Sequence, residues 1–207
     1  MDTVHPTPMP SHPARLPKPT LSERKLLSRA VSRAESGTNV IVFISAYNTC
    51  TTGPGACGHA AVVHHLIDGG VVAKHSLSHG STRSTGDREA LIALASAFRL
   101  IKSKVPLHKG RVTVFSDSKR LVSGMGLARE YWPGLDWHDS KGNPVRHRRL
   151  YQDVRAMADT FDDFRIFNAH GRASILGANE ADSLACDMAM RMLSATIEDL
   201  PNAAGRA

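Results

Sequence analysis

Aromatic residues are scarce in this chain, 5% of 207, and cysteine is scarcer. Cys50, Cys57 and Cys186 are an odd number without tight spacing, which excludes a disulfide framework and fits a reducing compartment. No apolar run reaches the roughly 18 residues needed to span a bilayer. The first residues also lack the apolar core of a secretory signal. The expectation is a soluble, intracellular, cytoplasmic protein with no membrane contact. Acidic residues are outnumbered: 26 Lys and Arg face 19 Asp and Glu, a net charge of +7, which suits a polyanionic partner. Hydrophobic residues at 42% and charged residues at 22% are ordinary for a globular chain and exclude wholesale disorder.

Pro6, Pro8, Pro10, Pro13, Pro17 and Pro19 crowd residues 1–19. Rings without N–H donors cannot sustain a helix or an interior strand there, so this segment reads as a disordered proline-rich tail. Residues 20–37 read as a short helical extension, with Thr20 and Glu23 in capping-box spacing and Leu26, Leu27, Ala30, Val31 and Ala34 on one stripe. Residues 38–194 are assigned to one domain and 195–207 to a flexible C-terminal tail.

Within the domain, Val40 to Ile44 form an apolar, largely β-branched run, the mark of a strand buried on both faces. Ala60 to Ile67 and Val71 to Ser78 read as two more strands around an Asp68-Gly69-Gly70 hairpin turn. Leu91, Leu94, Ala95, Phe98 and Ile101 recur at helical spacing across Asp87 to Lys102. A strand over Arg111 to Phe115, a helix from Ser118 to Arg129 and an irregular stretch from Tyr131 to Pro144 follow. A helix Arg148 to Phe161, a strand Phe164 to Asn168 and a closing helix Glu180 to Leu193 complete the chain. The order β-β-β-α-β-α-α-β-α predicts an α/β fold: a mixed five-stranded sheet, three antiparallel strands then two more, flanked by helices.

Three acidic residues stand at element ends: Glu89 in the first turn of a helix, Asp117 directly after a strand, Asp182 early in the last helix. Brought together they would repel unless cations neutralised them. Each also has a plainer reading, for Glu89 and Asp182 that of a solvated acid at a helix N-terminus. Four motifs in order resemble the ribonuclease H type 1 family. Gly53-Pro54-Gly55-Ala56-Cys57-Gly58 is similar to its G-P-G-G-x-G turn, and Arg88-Glu89-Ala90-Leu91 to its R-x-E-L. Ser116-Asp117-Ser118 resembles its T-D-S, and Gly177-Ala178-Asn179-Glu180-Ala181-Asp182 its G-N-E-x-A-D. Trp137 to Gln152 resembles in spacing the basic handle of the cellular type 1 branch.

The resemblance implies an RNase H-like fold and metal-dependent hydrolysis, with Mg2+ or Mn2+, of the RNA strand of an RNA–DNA hybrid. It implies Glu89, Asp117 and Asp182 as metal ligands and catalytic residues, with His170 in the place of a loop histidine that aids proton transfer and product release. His170 also has the plain reading of a surface histidine, and Arg172 is a candidate stand-in. One position departs. Where the family carries the aspartate of T-D-G-S, this chain has Ile44-Ser45-Ala46-Tyr47, and no carboxylate occurs between Thr38 and Leu66. Two-metal hydrolysis places cations roughly 4 Å apart and requires bridging ligands, and a neutral hydroxyl binds a hard cation far more weakly than a carboxylate. Cleavage is therefore expected to be weak or absent unless another group supplies the bridge.

Hybrid recognition needs small polar groups facing 2′-hydroxyls, for which Asn48, Thr51, Thr85 and the Gly53–Gly55 turn are candidates. Lys119, Lys141, Arg146, Arg148 and Arg149, with Trp132 and Trp137 between them, form a candidate handle for phosphates; the plain reading is a solvated helix start. The spacing of Cys50, Cys57, His59, His64 and His65 matches no compact zinc site, and no lysine follows the Gly-Pro-Gly turn to make a phosphate-binding loop. Three function classes stay open: an endonuclease with a reshaped metal site, a disabled module that binds nucleic acid, and a protein-interaction module that keeps only the fold.

Overall fold

A computed structural model describes residues 39–51, 53–67, 70–105, 110–169 and 178–198. The proline-rich tail, the 20–37 helix and His170 with Arg172 lie outside the described residues. Five strands form one sheet in the order β3-β2-β1-β4-β5. These are β1 (Asn39–Asn48), β2 (Gly55–Ile67), β3 (Gly70–Ser84), β4 (Arg111–Ser116) and β5 (Asp163–Asn168). β1 to β3 form an antiparallel meander, and β4 and β5 add parallel to β1. The mixed sheet expected from the element order is the one observed.

β1 is central because its run Val40 to Ile44 is covered on both sides, no residue of it more than 5% exposed. Side chains alternate across the sheet. Val40, Val42 and Ile44 face a layer built by α1 (Gly86–Lys104), α2 (Lys119–Glu130) and α3 (Arg148–Ala158). Ile41 and Phe43 face the other side, where Ala181 of α4 (Ala178–Glu198) packs with Val62, Leu66 and Phe115. The same alternation assigns Ser45 to the α4 face. It assigns His59, cross-strand from Ala46, to the α1 face.

Most elements run longer than the sequence pattern suggests. β2 begins at Gly55 rather than Ala60, through a register shift between Gly55 and Cys57. Gly58 lets α4 lie almost against the sheet: a Cβ there would come within 2.0 Å of the Ala185 carbonyl oxygen. α4 ends at Glu198 rather than Leu193, so the helix crosses the boundary expected at residue 194. α3 stops at Ala158, three residues short of the expected Phe161. No helix among the described residues is long and apolar enough to cross a membrane.

Candidate active site and nucleic-acid face

The parallel register pairs Ile44 of β1 with Ser116 of β4, so Ser45 and Asp117 occupy the next step beyond the last pair. Ser45 is 3% exposed. Its Oγ lies 2.8 Å from Oδ2 of Asp117 and 3.1 Å from Oδ1 of Asp182, which α4 brings in from its side of the sheet. A hydroxyl has one proton to donate, so it bonds one carboxylate at a time. Sequence reasoning grouped Glu89, Asp117 and Asp182, with Ser45 in the place of a missing aspartate; the structure brings Ser45, Asp117 and Asp182 together.

Glu89 is held elsewhere. It belongs to α1, whose N-cap Thr85 accepts from the Arg88 amide at 3.4 Å. Its carboxylate is 2% exposed, and Oε2 lies 2.6 Å from Nδ1 of His59. A carboxylate can only accept here, so Nδ1 carries the hydrogen. Burial pushes the Glu89 carboxyl up, but the hydrogen bond from His59 and the charges of His59 and Arg88 outweigh it, leaving the group below the ordinary carboxylate range. Burial, and next the Glu89 charge, pushes the neighbouring Cys57 thiol up to about 11. Cys57 is thus kept as a thiol and His59 is engaged by Glu89.

Among the described residues no group of three or more His, Cys, Asp or Glu side chains is placed to hold a metal ion. The donor set does not fit a pair of bridged divalent cations. The bridging position carries a neutral hydroxyl whose one proton goes to either Asp117 or Asp182, and Oε2 of Glu89 is taken by a buried imidazole.

No family model matches the chain. It is similar to the curated ribonuclease H of Pelobacter propionicus, 26% identical over 129 residues, covering 62% of this chain and 73% of that protein. It is also similar to the ribonuclease H of Acidiphilium cryptum, 30% identical over 109 residues; that match spans 53% of this chain and 62% of the relative, under two thirds of its length. The N-terminal RNase H domain of a Mycobacterium tuberculosis protein shares the fold at a TM-score of 0.57 and 21% identity, covering 77% of this chain and 99% of that one. The chain has the RNase H-like fold.

The residues expected to contact nucleic acid differ in exposure. Thr51, Lys119, Lys141, Arg146 and Arg149 are exposed. Asn48 is half-buried and ties down its own turn, donating to the Gly53 carbonyl and accepting from the Cys50 amide. Arg148 pairs with Asp136 at 3.4 Å. The two tryptophans differ in how much ring they expose, Trp132 being half-buried. Trp137 is 8% exposed and belongs to the core, and Trp132 packs edge-on to Tyr151 at 5.0 Å between ring centroids. Their apolar bulk anchors the handle, so Trp137 has no ring face free for a base.

What sequence reasoning missed is a cavity of about 270 Å3 lined by Arg83, Arg88, Arg146, Thr85, Ser84 and His147. Three guanidiniums from β3, α1 and the loop before α3 converge there. Burial, and next the Arg146 and Arg88 charges, holds the His147 imidazole below its ordinary value, as a cationic surrounding should. Arg83 and Arg146 lie 63 positions apart by residue number. The sequence singled out Arg146 and Thr85 as nucleic-acid contacts and Arg88 within the R-E-A-L motif, but neither Arg83 nor the gathering of the three arginines.

Proposed function

We propose that this chain binds nucleic-acid duplex, RNA–DNA hybrid foremost, through its basic face and without hydrolysing it by the two-cation route. The observation that carries this reading is the Ser45 hydroxyl, 2.8 Å from Asp117 and 3.1 Å from Asp182. A hydroxyl at that point donates to one of the two carboxylates at a time and offers no negative charge to a second cation. Any Mg2+ or Mn2+ held there is bound weakly. Binding is supported by the arginine-lined cavity beside Thr85, by exposed Lys119, Lys141 and Arg149, and by the likeness to proteins named ribonuclease H. Guanidiniums suit phosphate oxygens because they donate in a planar fork.

The test pairs two assays on the unaltered chain. Labelled hybrid should bind with an affinity that falls steeply with salt, while cleavage with Mg2+ or Mn2+ stays at background. The retained pair Asp117 and Asp182 favours a second reading, an endonuclease with a reshaped site. Robust cleavage that disappears in Asp117→Asn would establish it and overturn the first. Absence of any salt-dependent affinity for duplex would instead leave the protein-interaction module.

A further inference from the structure

The opening segment of α1 borders the corner that carries Asp117. Arg120 in the first turn of α2 reaches Asp87 in the first turn of α1 at 2.7 Å, and Asp117 directly precedes the Ser118 cap of α2. Glu89 follows Asp87 by two residues on α1, yet its carboxylate does not form a metal-holding group with Asp117 and Asp182. It is taken by His59, itself 1% exposed and cross-strand from Ala46 on the α1 face. The ring of His59 is in turn flanked by His79 of β3, centroids 5.9 Å apart. Releasing Glu89 would leave a buried imidazole N–H and a buried carboxylate without each other, an arrangement folded chains avoid.

We propose that His59 is a positioning residue that locks Glu89 onto the sheet, so that cation binding at the Asp117 corner is blocked twice, by Ser45 and independently by His59. This rests on the reading of the site given above and deepens it. The two blocks act from opposite faces of the sheet: Ser45 acts on the α4 side and His59 on the α1 side. Restoring a carboxylate at residue 45 alone then leaves Glu89 unavailable.

The test measures Mn2+ alone binding to the full chain by calorimetry, in three variants. Ser45→Asp should bind only weakly. Ser45→Asp with His59→Leu, which fills the buried volume but donates nothing, should bind at least about tenfold tighter, the scale on which groups behind metal ligands alter affinity. Adding Glu89→Gln should erase that gain. Ser45→Asp binding as tightly as the double variant, or a gain that survives Glu89→Gln, would overturn the proposal. A measurement on the unaltered chain does not depend on these variants folding. Its proton spectrum should contain a downfield imidazole N–H signal assigned to His59 that added Mg2+ does not move; its disappearance on adding Mg2+ would show that Glu89 is free to leave. Neither readout involves nucleic acid, so failure of the lock is distinguishable from failure of the binding reading.

Discussion

Tyr151 is a residue whose chemistry is set almost wholly by its neighbours. Its phenol packs edge-on to Trp132 and its hydroxyl lies where a Cβ on Gly124 would come within 2.1 Å. Burial, and next the Asp87 charge, pushes its ionisation up to about 12. Because the folded value exceeds the free value of about 10, the folded state holds the proton more tightly. The associated stability is fully present below pH ~10 and is lost as pH rises through the folded value. An alkaline absorbance titration should therefore show a phenol step near pH 12 that is missing from Tyr151→Phe. A spectrum unchanged by that substitution would contradict the buried placement. The same residue explains why Trp132 and Trp137 resemble binding residues in the sequence. Interleaved with Lys141, Arg146 and Arg148, they look like a surface, and only packing shows that Trp137 belongs to the core while Trp132 is half-buried against Tyr151.

Element placement turns on two glycines with opposite surroundings. Gly58 in β2 faces α4, where an added Cβ would meet the Ala185 carbonyl oxygen at 2.0 Å and the Ala189 nitrogen at 2.5 Å. Both are helix backbone and cannot swing aside. Gly58→Ala should lose about 1–3 kcal/mol in urea unfolding, the usual range for overpacking. Gly126 in α2 has nothing within 4 Å of its added Cβ. Gly126→Ala should gain up to about 1 kcal/mol by helix propensity. Equal effects from the two would mean that α4 does not seat on Gly58. The strands and helices themselves were legible because their signals are local: the run Val40 to Ile44, the spacing of Leu91, Leu94 and Phe98, the Ser118 cap before α2. The extension of β2 back to Gly55 was not, since small residues that let a helix approach look the same in sequence as residues that form a turn.

Across the whole molecule, the +7 charge is not spread evenly, and Arg83, Arg88 and Arg146 gather at one cavity. Removing one cationic side chain that neutralises a phosphate should shallow the dependence of log affinity on log salt by about one unit. Replacing these three arginines by alanine should therefore reduce the slope for hybrid by roughly three while leaving the far-ultraviolet dichroism unchanged. An unaltered slope would place the duplex on another face. The candidate site was legible in the same partial way as the fold. Ser45, Asp117 and Asp182 could be matched motif by motif, because each keeps its place beside a strand or helix end. The pairing of His59 with Glu89 could not, since it joins positions thirty apart by way of a sheet register that no local pattern encodes.

Ser45 also alters what the corner demands of the fold. A carboxylate within 3.1 Å of Asp117 and Asp182 would crowd three negative charges at the end of a buried strand, a repulsion that folding must carry until an ion relieves it. With a hydroxyl there the third charge is absent, and the single proton is given to one of the two acids at a time. The same hydroxyl also makes a joint, since its reach to Asp182 ties α4 to the central strand.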